Sequence, residues 1–346
     1  MSRSSAGLID LQVNGFAGVD FNDEALEANA LDKALEAMLA TGVTTCLPTI
    51  ITAHEDELQR RFAALDRAVS ESRLGRWMVP GYHLEGPFLN PGGGYAGCHP
   101  AEAMIPADPE LVSRLERDLA RPILMVTVAP EIEGGIGLVR ELAAAKRIVA
   151  LGHTAVDFAQ AVAAADAGAT LSTHLGNGMP QQAHKLANPI MAQLAEDRLS
   201  ASFIADGIHL PPPALKTMLR AKGFERSILV TDAVLAAAAP PGPYRFAGMA
   251  VERGADGSVR QAGAVSLAGS ALCLDQAVRN VVAWGFAGEE QALAMASVHP
   301  LAAIAPALSA RRIALPPSEV SWDENLRPVT VRIGEIERRY DLPAAM

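Results

Sequence analysis

Several polar residues of this chain stand where short apolar, β-branched runs end. Gln12 and Asn14 close "LIDLQVN", Glu85 closes "YHLE", His153 closes "VALGH", His174 closes "LSTH" and Asp232 closes "SILVTD". Glu85, His153 and His174 make one carboxylate and two imidazoles, a catalytic ligand set for Zn²⁺ that leaves a fourth position for water. Iron or another divalent ion suits the same donors. A single buried histidine is more often a hydrogen-bonded core residue than a ligand, but three such residues at strand ends are not independent. Asp232 alone reads as a turn or helix cap. Beside a metal it reads as the group that takes a proton from metal-bound water, whose pKa falls to about 7 on zinc, and passes it to a departing amine.

Further donors lie in the loops. His99, in the glycine-rich stretch "LNPGGGYAGCHP" (89–100), is of a type to stabilise a developing oxyanion. "THLGNGMP" (173–180) offers Asn177, Gly178 and neighbouring backbone N–H groups as an anion-binding concavity. His209 in "ADGIHL" and Lys185 in the loop after His174 add what a phosphate needs in an acidic protein. Each of these has a bland alternative as a turn residue, a capping histidine or a surface lysine. Glu131, after "MVTVAP", has no assignable chemistry, and a structural hydrogen bond explains it at least as well.

The elements that must position these residues alternate regularly. Strand-like runs are expected at 8–13, 43–48, 78–85, 123–130, 147–153, 170–174, 199–205 and 227–232, with helical stretches such as 31–40, 55–72, 109–120 and 157–168 between them. Strands alternating with helices argue a parallel sheet, and eight such units argue a (β/α)₈ barrel of the α/β class, whose active site lies at the C-terminal ends of its strands. A doubly wound open sheet would want a glycine-rich phosphate loop after its first strand, and "VNGFAG" is too weak a match. The barrel unit is expected over 7–310. After Asp232 come a Pro/Gly/Ala-rich loop, a small hairpin insertion within 244–266 turning at Asp256-Gly257, and a helical region at about 271–310. The tail, 311–346, reads as a short β-like remnant of a satellite sheet.

Composition bounds the partners. The 346 residues are 50% apolar and carry a net charge of −10, which disfavours nucleic-acid or anionic-membrane binding. Cys46, Cys98 and Cys273 are far apart, with no C-x-x-C spacing, which suits a reducing cytosol. No secretory h-region and no run of 18 apolar residues is evident, so a soluble cytoplasmic protein is expected.

The series "GLIDLQVNG", "HLEGPF", "GCHP", "VAPE", "LGHT", "THLGNGMP", "ADGIHL", "LVTDA" and "LAGS" resembles, in family order over residues 7 to about 300, the N-acetylglucosamine-6-phosphate deacetylases of the amidohydrolase superfamily. The resemblance implies a barrel hydrolase that converts an N-acetylated amino-sugar phosphate to acetate and the free amino sugar. It implies one divalent metal at Glu85, His153 and His174, a catalytic Asp232, and a carbonyl-polarising His99. Substrate contacts are implied at Cys98, Asn177, Gly178, His209 and the Leu267, Ala268, Gly269 segment. It also implies a homodimer in which a basic residue of the neighbouring subunit reaches the phosphate. Many amidohydrolases carry His-x-His at the end of strand one, holding a second metal. Here those positions are Gln12 and Asn14, and neutral amides are poor zinc ligands, so one metal is expected. The family's phosphate-contacting arginine corresponds to Lys185, a point charge without the bidentate fork. Family members usually carry further β-strands ahead of the "GLID" segment, so a reduced satellite domain is expected. A related amidohydrolase for another N-acetylhexosamine or an N-acyl amino acid, and a non-catalytic sugar-phosphate binder, are the rival readings.

Overall fold

Aliphatic and β-branched residues dominate the eight runs, and each forms a strand buried along most of its length. They are β1 Leu8–Val13, β2 Val43–Ile51, β3 Tyr82–Glu85, β4 Ile123–Val128, β5 Ile148–Leu151, β6 Leu171–Ser172, β7 Ser200–Ile204 and β8 Ser227–Val230. The computed structural model describes residues 3–263 and 266–340. The strands follow one another in chain order in a single parallel sheet. Near-continuous burial is what a parallel sheet covered on both faces requires. The expected run at 78–85 is shortened to Tyr82–Glu85. Gly75–Met78 is a helical turn, and Pro80 has no N–H for the ladder.

Crossover helices coat the barrel: α1 Ala28–Leu39, α2 Glu55–Glu71, α3 Pro109–Glu116, α4 Gly135–Ala144, α5 Phe158–Ala167, α6 Pro189–Ala195 and α7 Pro212–Lys222. In α1, Leu31, Ala34, Leu35, Met38 and Leu39 recur at three- and four-residue steps and form the buried stripe. Asp157 caps α5 by accepting from the Gln160 N–H, and the Gln160 side chain accepts in return from the Asp157 N–H.

β1 and β8 share no regular ladder, and the barrel is closed there by single interactions. The Asp232 N–H donates to the Gln12 carbonyl (2.9 Å), and the Asn14 N–H donates to the Ala233 carbonyl (2.7 Å). Lower in the seam, the Asp10 carboxylate accepts from the Thr231 hydroxyl (2.6 Å) and the Thr231 N–H (3.2 Å). Of the polar face of β1, Asp10 therefore stitches the barrel shut.

Two antiparallel sheets flank the barrel. The segment after Asp232 forms four strands in sequential order: β9 Gly242–Phe246, β10 Met249–Arg253, β11 Ser258–Gln261 and β12 Leu267–Ser270. The stretch read from sequence as a Pro/Gly/Ala-rich loop thus contains β9. It is an edge strand, where Pro243 is tolerated. The hairpin at Asp256-Gly257 joins β10 to β11; its residues 264–265 lie outside the described residues. The second sheet holds β13 Ser318–Trp322, β14 Pro328–Ile333 and β15 Ile336–Arg339, with the N-terminal strand Arg3–Ser5 paired on its β13 edge. That pairing was not read from the sequence, because three residues carry no usable period. Residues 341–346 of the anticipated tail are also outside the described residues.

Three further helices, α8 Leu274–Ala283, α9 Glu289–Ala296 and α10 Val298–Ala310, occupy the anticipated helical region. The stretch Glu289–Ala310 is long and apolar enough to cross a membrane by length and composition, with mean hydropathy 1.5. It breaks at Ser297, and half of its most apolar window is buried within the fold, with Ile304, Ala307 and Leu308 in the core.

Candidate active site

The strand ends meet around Glu85, the last residue of β3, which is almost wholly buried. His174 Nε2 lies 2.9 Å and His153 Nε2 3.3 Å from Glu85 Oε1, and His99 Nε2 lies 3.7 Å from Oε2. The rings stack around the carboxylate, His99 to His153 at 4.4 Å and His153 to His174 at 5.0 Å between centroids. Burial by itself raises the Glu85 pKa. Hydrogen bonds from His153 and His174, and the charge of His174, outweigh it and hold Glu85 well below the usual carboxylate range. Burial, reinforced by neighbouring His153, pushes His99 down to about 3, so its imidazole is neutral. A charged carboxylate amid imidazoles is the donor chemistry of a divalent-cation site.

The ligand-capable atoms of Glu85, His99 and His153 all lie within 4.8 Å of one another, a set that could hold a metal ion. This differs from the expected Glu85, His153 and His174, although His174 makes the shortest contact to the same carboxylate. The surroundings distinguish the rings. His153 Nδ1 donates to the Tyr95 carbonyl (2.7 Å), which orients Nε2 toward Glu85. His99 Nδ1 sits 2.9 Å from the Thr52 hydroxyl, which also reaches the Glu85 carbonyl at 3.1 Å. When Thr52 donates to that carbonyl, His99 Nε2 is a lone pair; when it turns to His99, Nε2 carries the hydrogen. His174 Nδ1 is buried and has no hydrogen-bond partner among the described residues.

Asp232 faces this cluster from the far side of the seam. Its Oδ1 accepts from Asn14 Nδ2 (2.8 Å) and Gln12 Nε2 (3.2 Å). The two amides that replace His-x-His are thus engaged with the aspartate. Burial raises Asp232 to about 6, against the opposing pull of His174 and the Asn14 hydrogen bond. His153, His174 and Asp232 all have positive φ, at 50°, 29° and 49°. Such backbone costs about 1 to 3 kcal/mol per residue and clusters at functional sites. Here it turns each chain out of its strand where the side chain must face inward.

A cavity of about 690 Å³ opens over the cluster. Asn14, Cys98, Asn177, Gly178, His209, Leu267 and Gly269 line it with the histidines, Glu85 and Asp232. His209 is oriented by Asp206, whose Oδ2 lies 2.6 Å from Nδ1 and whose Oδ1 accepts two backbone N–H groups. Sequence reading missed Asp206, although the Asp-x-x-His spacing is the signal for it. Glu131 accepts from Asn90, from the Thr154 hydroxyl and from the Ala155 N–H, and so clamps the 89–100 loop to the turn after His153. Its role is structural.

Two expected substrate contacts lie outside the cavity lining of the single protomer. Ala268 is fully buried in the apolar cluster beneath the β9–β12 sheet, because strand alternation turns it away from the cavity that Leu267 and Gly269 line. Lys185 is exposed on the 181–187 loop and does not line the cavity. Arg260, unnoticed in the sequence, does.

No protein-family model matches the chain. Its sequence is 36% identical over 294 residues to an N-acetylgalactosamine-6-phosphate deacetylase of Escherichia coli O157:H7, covering 84% of this chain and 75% of the relative. It is 34% identical over 277 residues to an N-acetylglucosamine-6-phosphate deacetylase of Bacillus subtilis, covering 80% and 68%. The fold is similar to that of an N-acetyl-D-glucosamine-6-phosphate deacetylase variant from Mycobacterium smegmatis in complex with N-acetyl-D-glucosamine-6-phosphate, with TM-score 0.84, 28% identity, and 96% and 85% of the two chains covered.

Proposed function

This chain belongs to the N-acetylglucosamine-6-phosphate deacetylase family, and from that premise we propose that it hydrolyses the acetamide of N-acetylglucosamine 6-phosphate to acetate and glucosamine 6-phosphate. The observation that carries this reading is the pairing, in one cavity, of a four-residue Glu/His cluster with an amide-held Asp232. In this reading Glu85, His153 and His174 hold one divalent ion, zinc the first choice. The convergence of His153 and His174 on the same carboxylate oxygen, with His99 on the other, supports that division.

A cation held there supplies Lewis acidity toward the acetyl carbonyl and acidifies water at the centre. Asp232 takes a proton from the attacking water and hands it to the leaving nitrogen. His99, with Thr52 turned to its Nδ1, donates Nε2–H to the oxyanion as it forms. Cys98, Asn177, Gly178, His209, Leu267 and Gly269 bound the sugar. Residues 7–310 form the catalytic unit with its inserted sheet. We place the enzyme in the cytoplasm, with no nucleic-acid or membrane partner, as a homodimer. Exposed Phe158, Val162, Leu186 and Met191, on and around the adjacent α5 and α6, support an apolar contact face.

The Escherichia coli relative, named for the galactosamine substrate, favours N-acetylgalactosamine 6-phosphate as a second reading. Acetate release from both sugar phosphates, their unphosphorylated forms and an N-acyl amino acid, with and without Zn²⁺, separates these. No acetate from either phosphate after reconstitution with zinc, iron or manganese overturns the proposal.

A further inference from the structure

Asp232 has a φ of 49°, a conformation that a residue with a side chain keeps only where its surroundings impose it. The two peptide planes that meet at its Cα are both held. The plane ahead carries the Asp232 N–H, which donates to the Gln12 carbonyl of β1 (2.9 Å), and the Thr231 carbonyl, which accepts from the Ser270 hydroxyl (2.6 Å). The plane behind carries the Asp232 carbonyl, which accepts from the Ser270 N–H (2.9 Å), and the Ala233 N–H, which donates to the Thr231 hydroxyl (3.1 Å). Ser270 thus grips both planes, one through its side chain and one through its backbone. It is the last residue of β12 and almost wholly buried, and its hydroxyl is oriented in turn by the Leu272 N–H (3.1 Å). Gly269 permits the close approach: a Cβ there would stand 2.4 Å from Val234 Cγ1 and 3.2 Å from the Asp232 carbonyl oxygen.

We infer that Ser270 is a positioning residue for the proton-transfer step, pinning the backbone of Asp232 so that its carboxylate stays on the Asn14 amide. The inference rests on the deacetylase reading of Asp232. Ser270 does not line the cavity, so it acts through Asp232 alone. The strand that bounds the cavity with Leu267 and Gly269 therefore also sets the geometry of the carboxylate at its end.

The test measures kcat, KM and bound metal on N-acetylglucosamine 6-phosphate with zinc, for Ser270→Ala made in the parent enzyme and in Asn14→Ala. Ser270→Ala removes the hydroxyl and keeps the N–H. In the parent it lowers kcat by about tenfold, with KM and metal content unchanged. In Asn14→Ala the carboxylate has already lost its hold, so Ser270→Ala costs less than about threefold more. A parent-like kcat in Ser270→Ala, a raised KM or lost metal in place of a lower kcat, or the full loss repeated in Asn14→Ala overturns the inference. The crystal structure of Ser270→Ala gives a readout that needs no turnover. Asn14 Nδ2 and Asp232 Oδ1 part beyond hydrogen-bond distance in it, and a retained 2.8 Å contact overturns the inference. If the parent enzyme releases no acetate, the deacetylase reading fails, and that crystal structure still decides whether Ser270 holds Asp232.

Discussion

Asn14 Nδ2 donates to Asp232 Oδ1 across 2.8 Å, between residues 218 positions apart in the chain. The contact spans the barrel seam and makes a strand-one amide the holder of the Asp232 carboxylate. Gln12 supports the same oxygen more weakly at 3.2 Å. Asn14→Ala should lower kcat by about 10- to 100-fold, the worth of one hydrogen bond to a charged group, while KM and bound metal stay near the parent values. Asp232→Asn should cost about 10²- to 10⁴-fold, also with metal retained. Steady-state kinetics with elemental analysis checks both, and full activity in Asp232→Asn removes the assigned proton transfer.

The division of labour among the histidines is open to a direct assay. Glu85→Gln, His153→Gln and His174→Gln should lose the metal. His99→Gln should keep one ion per chain while kcat falls about 10²- to 10³-fold, as for loss of an oxyanion donor. Metal loss in His99→Gln with retention in His174→Gln would instead identify Glu85, His99 and His153, the cluster within 4.8 Å, as the ligand set.

Gly178 is set against His153. A Cβ built at this residue, whose φ is +59°, would stand 2.5 Å from His153 Nδ1. It would collide with the nitrogen that pairs with the Tyr95 carbonyl and so fixes the ring. Gly178→Ala should therefore weaken metal affinity by about 10- to 100-fold, as loss of an orienting partner does. Competition with a chromogenic chelator measures it, and parent-like affinity would show that the loop yields instead of the ring.

Asp10 gives the seam a pH dependence. Burial raises its carboxyl from 3.8 to about 7, against the opposing hydrogen bonds from Thr231 and Gln12. The folded state therefore holds a proton that the unfolded chain releases. The associated stability is complete below about 4 and is lost as pH rises through about 7, at about 1.4 kcal/mol per unit. Asp10→Asn removes this titration. Its stability relative to the parent should improve by about 2 to 3 kcal/mol between pH 5 and pH 7.5 in urea unfolding. A pH-independent difference would show that Asp10 is ionised throughout.

The sequence by itself determined the eight strand runs, the helices between them and the donors at the strand ends. These are local properties, since β-branched runs fix strands and the C-terminal mouth of a barrel collects whatever ends them. It also showed that strand one carries amides where related enzymes carry imidazoles. It could not say that those amides hold Asp232, because closure of the sheet, not spacing, brings residue 14 to residue 232. It pointed to Lys185 by counting along a loop, but gave no sign that Arg260 lines the cavity of the folded chain. Tertiary structure decided this, because the register of the inserted sheet governs which side chains of β11 and β12 share the cavity face.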